Sequence, residues 1–479
     1  MKRLLLISIL IFATVAAVAE TKEIHILAVN DMHATIDRFP RFAALVEGIR
    51  AKHPGLLVFS AGDNRTGNPV NDMHPEPSHP MLTLMNKVGF NLSCMGNHEF
   101  DAGTVALRRL VYRSHFRYVC ANMFMPDALR LHIEPYKMFE VDGARVAVLG
   151  LLELADRGIP EAHPDNLTGI AFRPPLDVAE EYRWLRDRCD VFILLAHLAY
   201  ENSVALANAY PYPDLIISGH SHTAVDHEAV DVKDIHNGVL VTQAGSHLKH
   251  ATYIILEIED GKVTKRKARL LNVEAFDRED AEVRAMVDDF NNNDVLKTVL
   301  TQVATDFKNY EELGCLMTDA VRLETGADIA LQNPGGVRLK TLPKGPVTVG
   351  TIYQLDPFGN EAVEFHLDGE EVLRLIEAAY RADKGASYVS GICYDMTLDP
   401  QGQVKRVDVR MADGTPLDLQ RRYKVVMNSY LAAICEYKKT DMGKDLSRLT
   451  VDLLIEHLQK QTSVDYNGVK RVKIIMQDE

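Results

Sequence analysis

Gly96-Asn97-His98-Glu99-Phe100-Asp101 follows the apolar run Leu92-Ser93-Cys94-Met95, so it reads as a loop leaving the end of a β-strand. An amide, an imidazole and two carboxylates within five residues form a cluster that a core does not tolerate without partners. Taken alone, the stretch is equally well a strand-to-helix turn, with Asp101 as the N-cap of a helix starting near Gly103. The rest of the chain decides between the two readings, because four other strands end in the same chemistry.

Working outward, residues 23–29 alternate loosely and end at Asn30-Asp31-Met32-His33, and the compact run 56–59 ends at Gly62-Asp63-Asn64. Residues 191–196 end at His197, and 215–218 end at Gly219-His220-Ser221-His222. A further strand, 239–242, ends at Gln243-Ala244-Gly245-Ser246-His247. Helical patterns at 41–52, 81–88, 106–112 and 178–188 separate these strands, and a hairpin pattern at 252–272 turns at Asp260-Gly261. The alternation predicts a layered α/β domain over residues 20–275, with two sheets face to face between helices in an α/β/β/α arrangement. Residues 276–299 are highly charged, with sparse apolar positions such as Val283, Met286 and Phe290, and read as an exposed linker helix. Residues 300–479 form a second, smaller α/β unit, with helices expected at 313–324 and 369–379.

The chain has 479 residues, enough for two or three domains, and its 47% apolar and 25% charged composition is that of a globular protein with sizeable cores. Lys2 and Arg3 precede an uncharged stretch at 4–18, and Ala17-Val18-Ala19 offers small residues for cleavage. Residues 1–19 therefore read as a secretory signal, shorter than the roughly 20 apolar residues of a membrane span. The expectation is an exported protein, periplasmic or extracellular, with no membrane span after cleavage. The formal charge of −14 becomes more negative once Lys2 and Arg3 are removed, which opposes binding of long nucleic acid through its phosphates. Small phosphorylated substrates are not excluded, since bound cations reverse the local field. Six cysteines are thinly spread with no C-x-x-C pair, and read as buried free thiols rather than a zinc finger.

Carboxyl ends of strands in an open α/β sheet form the ligand crevice. Asp31-x-His33 and His220-x-His222 each place two side chains on one side of an extended segment. Two such pairs, joined by Asp63, Asn97 and His197, can enclose two metal ions, with Asp63 the natural bridge because a carboxylate has two oxygens. Mixed nitrogen and oxygen donors suit Zn, Mn, Co or Fe better than Ca or Mg.

On the ordered set D-x-H, G-D-N, G-N-H-E-x-D, a strand-end histidine and G-H-S-H, the first part of the chain resembles the calcineurin-like metallophosphoesterases. With its second unit, the chain resembles the exported 5′-nucleotidase family, which includes UDP-sugar hydrolases and 2′,3′-cyclic-nucleotide phosphodiesterases. The resemblance implies two divalent metal ions, one held by Asp31, His33, Asp63 and His222 and the other by Asp63, Asn97, His197 and His220. It places the catalytic dyad on His98 and Asp101. Gln332-Asn333-Pro334-Gly335-Gly336-Val337-Arg338 resembles the family's glycine-rich substrate loop, which assigns substrate contacts to Asn333, Gly335, Gly336 and Arg338. Phe358 and Tyr430 fall where the family has two base-stacking aromatics, with Asn360 and Gly391 at further contacts. The family's G-G-D-G-aromatic loop is missing: Glu436 stands at the offset of its aspartate without the flanking glycines, and Lys308 and Cys315 stand where relatives often carry arginines.

The implied activity is release of phosphate from nucleoside 5′-monophosphates by attack of a metal-bound hydroxide. The alternatives are a 2′,3′-cyclic-nucleotide phosphodiesterase or UDP-sugar hydrolase of the same family, and, from another class, a non-catalytic exported binding protein.

Overall fold

The computed structural model describes residues 21–126, 131–227 and 235–477, so the expected leader at 1–19 lies outside the described residues. The first half is built on two mixed sheets. In one, strands Lys22–Val29, Leu57–Ser60, Leu92–Cys94 and Arg117–Val119 run parallel in sequence order. The hairpin His250–Glu259 and Lys262–Asn272 adds antiparallel strands on the far side of Lys22–Val29. In the other, Val191–His197 lies parallel between Ala144–Leu152 and Leu215–Ser218, and Val239–Thr242 continues parallel beyond the latter.

Side-chain alternation sorts these strands into layers. Ile24, Ile26 and Phe59 of the first sheet meet Val146, Val148, Ile193 and Leu195 of the second in one buried cluster. The opposite face of the first sheet, Leu27, Val29 and Val58, packs under helices Phe39–Arg50, His79–Val88 and Gly103–Arg113. The outer face of the second, Phe192, Leu194 and Ile216, packs under Pro175–Glu181 and Tyr200–Ala209. The result is the α/β/β/α architecture, with all the parallel strands of each sheet delivering their carboxyl ends to one edge.

The charged segment after this domain differs from expectation. Helix Ala281–Asn291 is not an exposed linker: Val283 and Val287 are buried against the Phe39–Arg50 helix, and the Asp280 side chain caps it by accepting from Val283 N–H. With Met286 and Phe290 packed beside them, Val283 and Val287 complete an i, i+3, i+4, i+7 apolar stripe that docks a helix whose other faces are charged.

The second half centres on a five-stranded sheet in the order Tyr388–Ser390, Ile329–Gln332, Arg422–Asn428, Glu361–Asp368, Lys444–Leu449. Helix Gly369–Asp383 covers it with Val372, Leu375 and Ile376, and starts in a capping box formed by Asp368 and Glu371. The helix expected at 313–324 runs from Tyr310 to Thr325, because Asn309 caps its start and Gly326, at φ 63°, ends it. The cysteines are all free; Cys393 is half-buried and the other five are buried. Among the described residues no helix is long and apolar enough to cross a membrane.

One buried carboxylate in this half makes stability pH-dependent. Asp356 is pushed up to about 6 by burial, against the opposing hydrogen bond from the Thr450 hydroxyl at 2.6 Å. The unfolded chain releases this proton near pH 4, so the folded state holds a proton the unfolded state lacks between about pH 4 and 6. Stability therefore falls as pH rises through that window and stays lower above it. Asp356→Asn is expected to raise the melting temperature at pH 8 and to change it little at pH 4; equal shifts at both pH values would contradict the assignment.

Candidate functional site

Five strand ends converge at the shared edge. Asp31 and His33 follow Lys22–Val29, Asp63 follows Leu57–Ser60, Asn97 and His98 follow Leu92–Cys94, His197 ends its own strand, and His220 and His222 follow Leu215–Ser218. Asp31, His33, Asp63, His220 and His222 all take left-handed backbone, with φ from 45° to 69°. Non-glycine residues adopt that conformation at a cost, and it concentrates where side chains must be aimed. The approach of the loops also demands glycine: a Cβ on Gly96 would lie 2.2 Å from Asp63 Oδ1, and one on Gly62 would lie 2.7 Å from Gly96 N.

The donor atoms fall into groups that fit divalent cations. His33 Nε2 and His222 Nε2 are 2.9 Å apart, with Asp31 Oδ1 at 4.0 Å and 3.5 Å from them. Asp63 Oδ2 is 3.2 Å from His197 Nε2, and Asn97 Oδ1 lies 3.2 Å from both His197 Nε2 and His220 Nδ1. Asp31–His33–His222 and Asp63–His197–His220 each cluster tightly enough to hold one ion, and Asp63 also groups with His33 and His98. Two carboxylates among several imidazoles and an amide are the donor set of a transition-metal or zinc centre. Burial, with Arg338 and His98 nearby, holds the His33 imidazole well below its ordinary value. Burial also lowers His197, but Asp63 and Asp31 outweigh it and push this ring up to about 10.

His98 and Asp101 do not form a helix cap. Helix Gly103–Arg113 begins without a side-chain cap, and the Asp101 carboxylate turns back to His98 Nδ1 at 2.7 Å. The same oxygen accepts from Thr66 Oγ1 at 2.7 Å. Burial depresses the His98 imidazole, yet Asp101 and Asp63 more than offset this and hold it above its ordinary value. Its Nε2 lies 3.9 Å from Asp63 Oδ2, on the side of the candidate metal positions.

Several polar residues that sequence reading left without a role hold this geometry. Glu99, fully buried, accepts from the backbone N–H groups of Asp63, Asn64 and Gly96 and from the Asn64 amide. Burial and the Asp63 charge raise its carboxyl above the ordinary range. Asn30 donates to Asp31 Oδ2 and accepts from Ala244 N–H, and Gln243 donates to Gly219 O. Their only sequence signal is position, beside the loops they tie. Glu99→Ala leaves three buried N–H groups unpaired and is expected to cost about 3 kcal/mol or more, read as a lower urea midpoint; an unchanged midpoint would remove Glu99 from the scaffold.

The second unit closes the other wall. A cleft of about 110 Å³ is lined by Asn97, His98 and Asp101 on one side and by Asn333, Gly335, Gly336, Arg338, Phe358, Asn360 and Tyr430 on the other. Phe358 lies over His98, with ring centroids 5.8 Å apart, and the Arg338 guanidinium sits 5.6 Å from the Phe358 ring. Asn360 accepts from Ser429 Oγ and Tyr430 N–H, which fixes the start of the Tyr430 helix. One expected contact is elsewhere. Gly391, at φ 82°, is pressed against Asp328, where a Cβ would meet the carbonyl at 2.0 Å, so its glycine serves packing. Glu436 is exposed and outside the cleft; from the second unit Asp383 lines it, opposite Asp101 and Glu161, accepts from Gly335 N–H and is pushed up to about 6 by burial. A second, larger cavity of about 540 Å³ opens on the far side of His33 and His222, lined also by His247 and Arg338.

Comparison with known proteins agrees with this division. Residues 24–224 match the family described as calcineurin-like phosphoesterase, and residues 294–436 match the 5′-nucleotidase C-terminal domain. The chain is 27% identical over 476 residues to the endonuclease YhcR of Bacillus subtilis, covering 88% of this chain and 38% of that protein, so it spans little more than a third of that relative. It is 26% identical to a 5′-nucleotidase of Vibrio cholerae, covering 88% of this chain and 85% of that one. The solved structure of a 5′-nucleotidase precursor from Thermus thermophilus superposes with a TM-score of 0.81 at 25% identity, over 95% of this chain and 99% of the other.

Proposed function

We propose that this chain, which belongs to the calcineurin-like phosphoesterases that carry a 5′-nucleotidase C-terminal domain, releases phosphate from nucleoside 5′-monophosphates outside the cytoplasm. One observation carries the proposal: Asn97 of the candidate ligand set and His98 line the same cleft as Arg338, Phe358 and Tyr430. A centre that holds cations without a facing recognition surface would favour a general phosphatase instead.

Asp31, His33, Asp63 and His222 would hold one cation, and Asp63, Asn97, His197 and His220 the other. When bound, such a pair supplies Lewis acidity and an activated water for in-line displacement at phosphorus. The remaining work belongs to the chain. Asp101 fixes His98 through Nδ1, so the proton available to substrate is on Nε2. That proton can stabilise a phosphoryl oxygen or pass to the departing 5′-oxygen. The Arg338 fork can pair with phosphate oxygens. Phe358 and Tyr430 offer faces for a nucleobase, and the negative phosphate of the substrate is drawn to the imidazoles and Arg338 despite the chain's net negative charge.

Tyr430→Ala is expected to raise KM for AMP about 10-fold, the cost of one lost stack, and to raise KM for an aryl phosphate less. Equal effects on both substrates would remove Tyr430 from base recognition. Phosphate release from AMP, 2′,3′-cyclic AMP, UDP-glucose and an aryl phosphate, measured in parallel, tests the proposal as a whole. AMP should give the highest kcat/KM; equal efficiency on AMP and the aryl ester would refute a nucleotide-specific pocket.

A further inference from the structure

We infer that His247 is a further ligand of the cation position formed by Asp31, His33 and His222, an assignment that rests on reading this centre as a metal site. His247 follows strand Val239–Thr242, the parallel neighbour of the strand that delivers His220 and His222. Its ring centroid lies 5.1 Å from that of His33 and 5.9 Å from that of His222, spacings close to the 4.9 Å between His33 and His222 themselves. The His247 ring thus flanks the His33 and His222 imidazoles at the edge of the larger cavity, just outside the tight donor group that Asp31, His33 and His222 form.

The backbone aims the ring there. His247 has φ 55°, and among the described histidines only it, His33, His220 and His222 adopt positive φ. The other three are all candidate ligands. Strain of this kind is kept where surrounding structure holds a side chain to a task. The surroundings are explicit: His247 N–H donates to the Asp31 carbonyl at 2.7 Å, and Arg38 donates to the His247 carbonyl at 3.1 Å. The loop is therefore fastened to the residue that opens the ligand set.

The ring's hydrogen bond points the same way. His247 Nδ1 lies 2.9 Å from Ser246 Oγ, which leaves Nε2 as the atom for another partner. His33 and His197 divide their nitrogens likewise, with Nδ1 on the Thr66 and Ala61 carbonyls and Nε2 turned to the centre. Metal-binding histidines are commonly oriented by such a bond from the other ring nitrogen. A third imidazole would shift the position further toward zinc or cobalt and away from magnesium.

The test uses cobalt(II) alone as the probe, on full-length metal-stripped wild type and His247→Ala, with visible absorption followed during chelator competition and folding checked by circular dichroism. Wild type should bind two ions per chain. In His247→Ala one ion should bind at least ~10-fold more weakly, with an altered cobalt spectrum, and His247→Gln, whose amide oxygen can ligate, should recover part of the loss. If the alanine variant does not fold, the glutamine variant carries the same comparison. Wild-type affinity at both positions and an unchanged spectrum in the variant would overturn the assignment. Absence of cobalt binding by wild type would overturn the metal reading beneath it, a separate result from any loss of phosphate release.

Discussion

Asp63→Asn is expected to lower kcat/KM for AMP by at least ~10³-fold, on the order of 4 kcal/mol of transition-state stabilisation. The substitution keeps the shape of the side chain and the Asp63 N–H bond to Glu99, so the loop should stay folded. What changes is the donor set. Asp63 is the residue that belongs both with His197 and His220 and with His33 and His98. Its Oδ2 lies 3.2 Å from His197 Nε2, while Oδ1 accepts the His98 backbone N–H at 2.9 Å. An amide has one oxygen where the carboxylate has two, and no charge to balance two cations. The variant should therefore also bind less metal per chain, measured by elemental analysis after gel filtration. Retention of two ions and turnover within tenfold of wild type would show that Asp63 is not shared between metal positions.

His98→Ala is expected to reduce kcat by roughly 10²–10⁴-fold, the range for a lost general acid or oxyanion donor. The pattern across substrates matters more than the size. From AMP the adenosine leaves as a 5′-alkoxide that needs a proton, whereas nitrophenolate leaves well without one. The loss should therefore be larger for AMP than for p-nitrophenyl phosphate. Asp101→Asn keeps a partner for Nδ1 but removes the charge that holds the imidazole up, so it should reproduce the pattern with a smaller loss. Equal losses on both substrates would move His98 from proton donor to a purely electrostatic or structural part. The Phe358 ring over His98 adds a packing contribution, which the Asp101 variant leaves in place.

The layered architecture and the strand-end donors were readable because both obey fixed spacings. Alternation marks buried strands, and metal-donor side chains at their carboxyl ends mark a ligand crevice. Asp31, His33, Asp63, Asn97, His197, His220 and His222 all carry that signature, and the structure brings them together, with Asp31, His33, His220 and His222 on left-handed backbone rather than the extended segments expected. Glu99, Asn30 and Gln243 do not, because they work by accepting or donating to loop backbone, a task with no required spacing. His247 was visible only as one more histidine after one more strand. The second unit was less legible still. Gly391 was placed by offset along the chain, but the cleft is walled by segments whose loops set the offset anew, and Asp383, at the end of a helix, lines it with no motif to announce it. The docking of helix Ala281–Asn291 was hidden by its charge, since the stripe of Val283, Met286, Val287 and Phe290 is a minor part of its composition.

The central claim is that a metal centre at the strand ends acts on nucleotide phosphates presented by the second unit. Its most direct test is phosphate release from AMP by the metal-stripped full chain, with Zn, Mn or Co added back singly, beside Asp63→Asn treated identically. No release is expected from the stripped protein, with recovery on addition of at least one of these ions and no recovery in Asp63→Asn. Undiminished release after stripping, or no release with any ion, would contradict the claim.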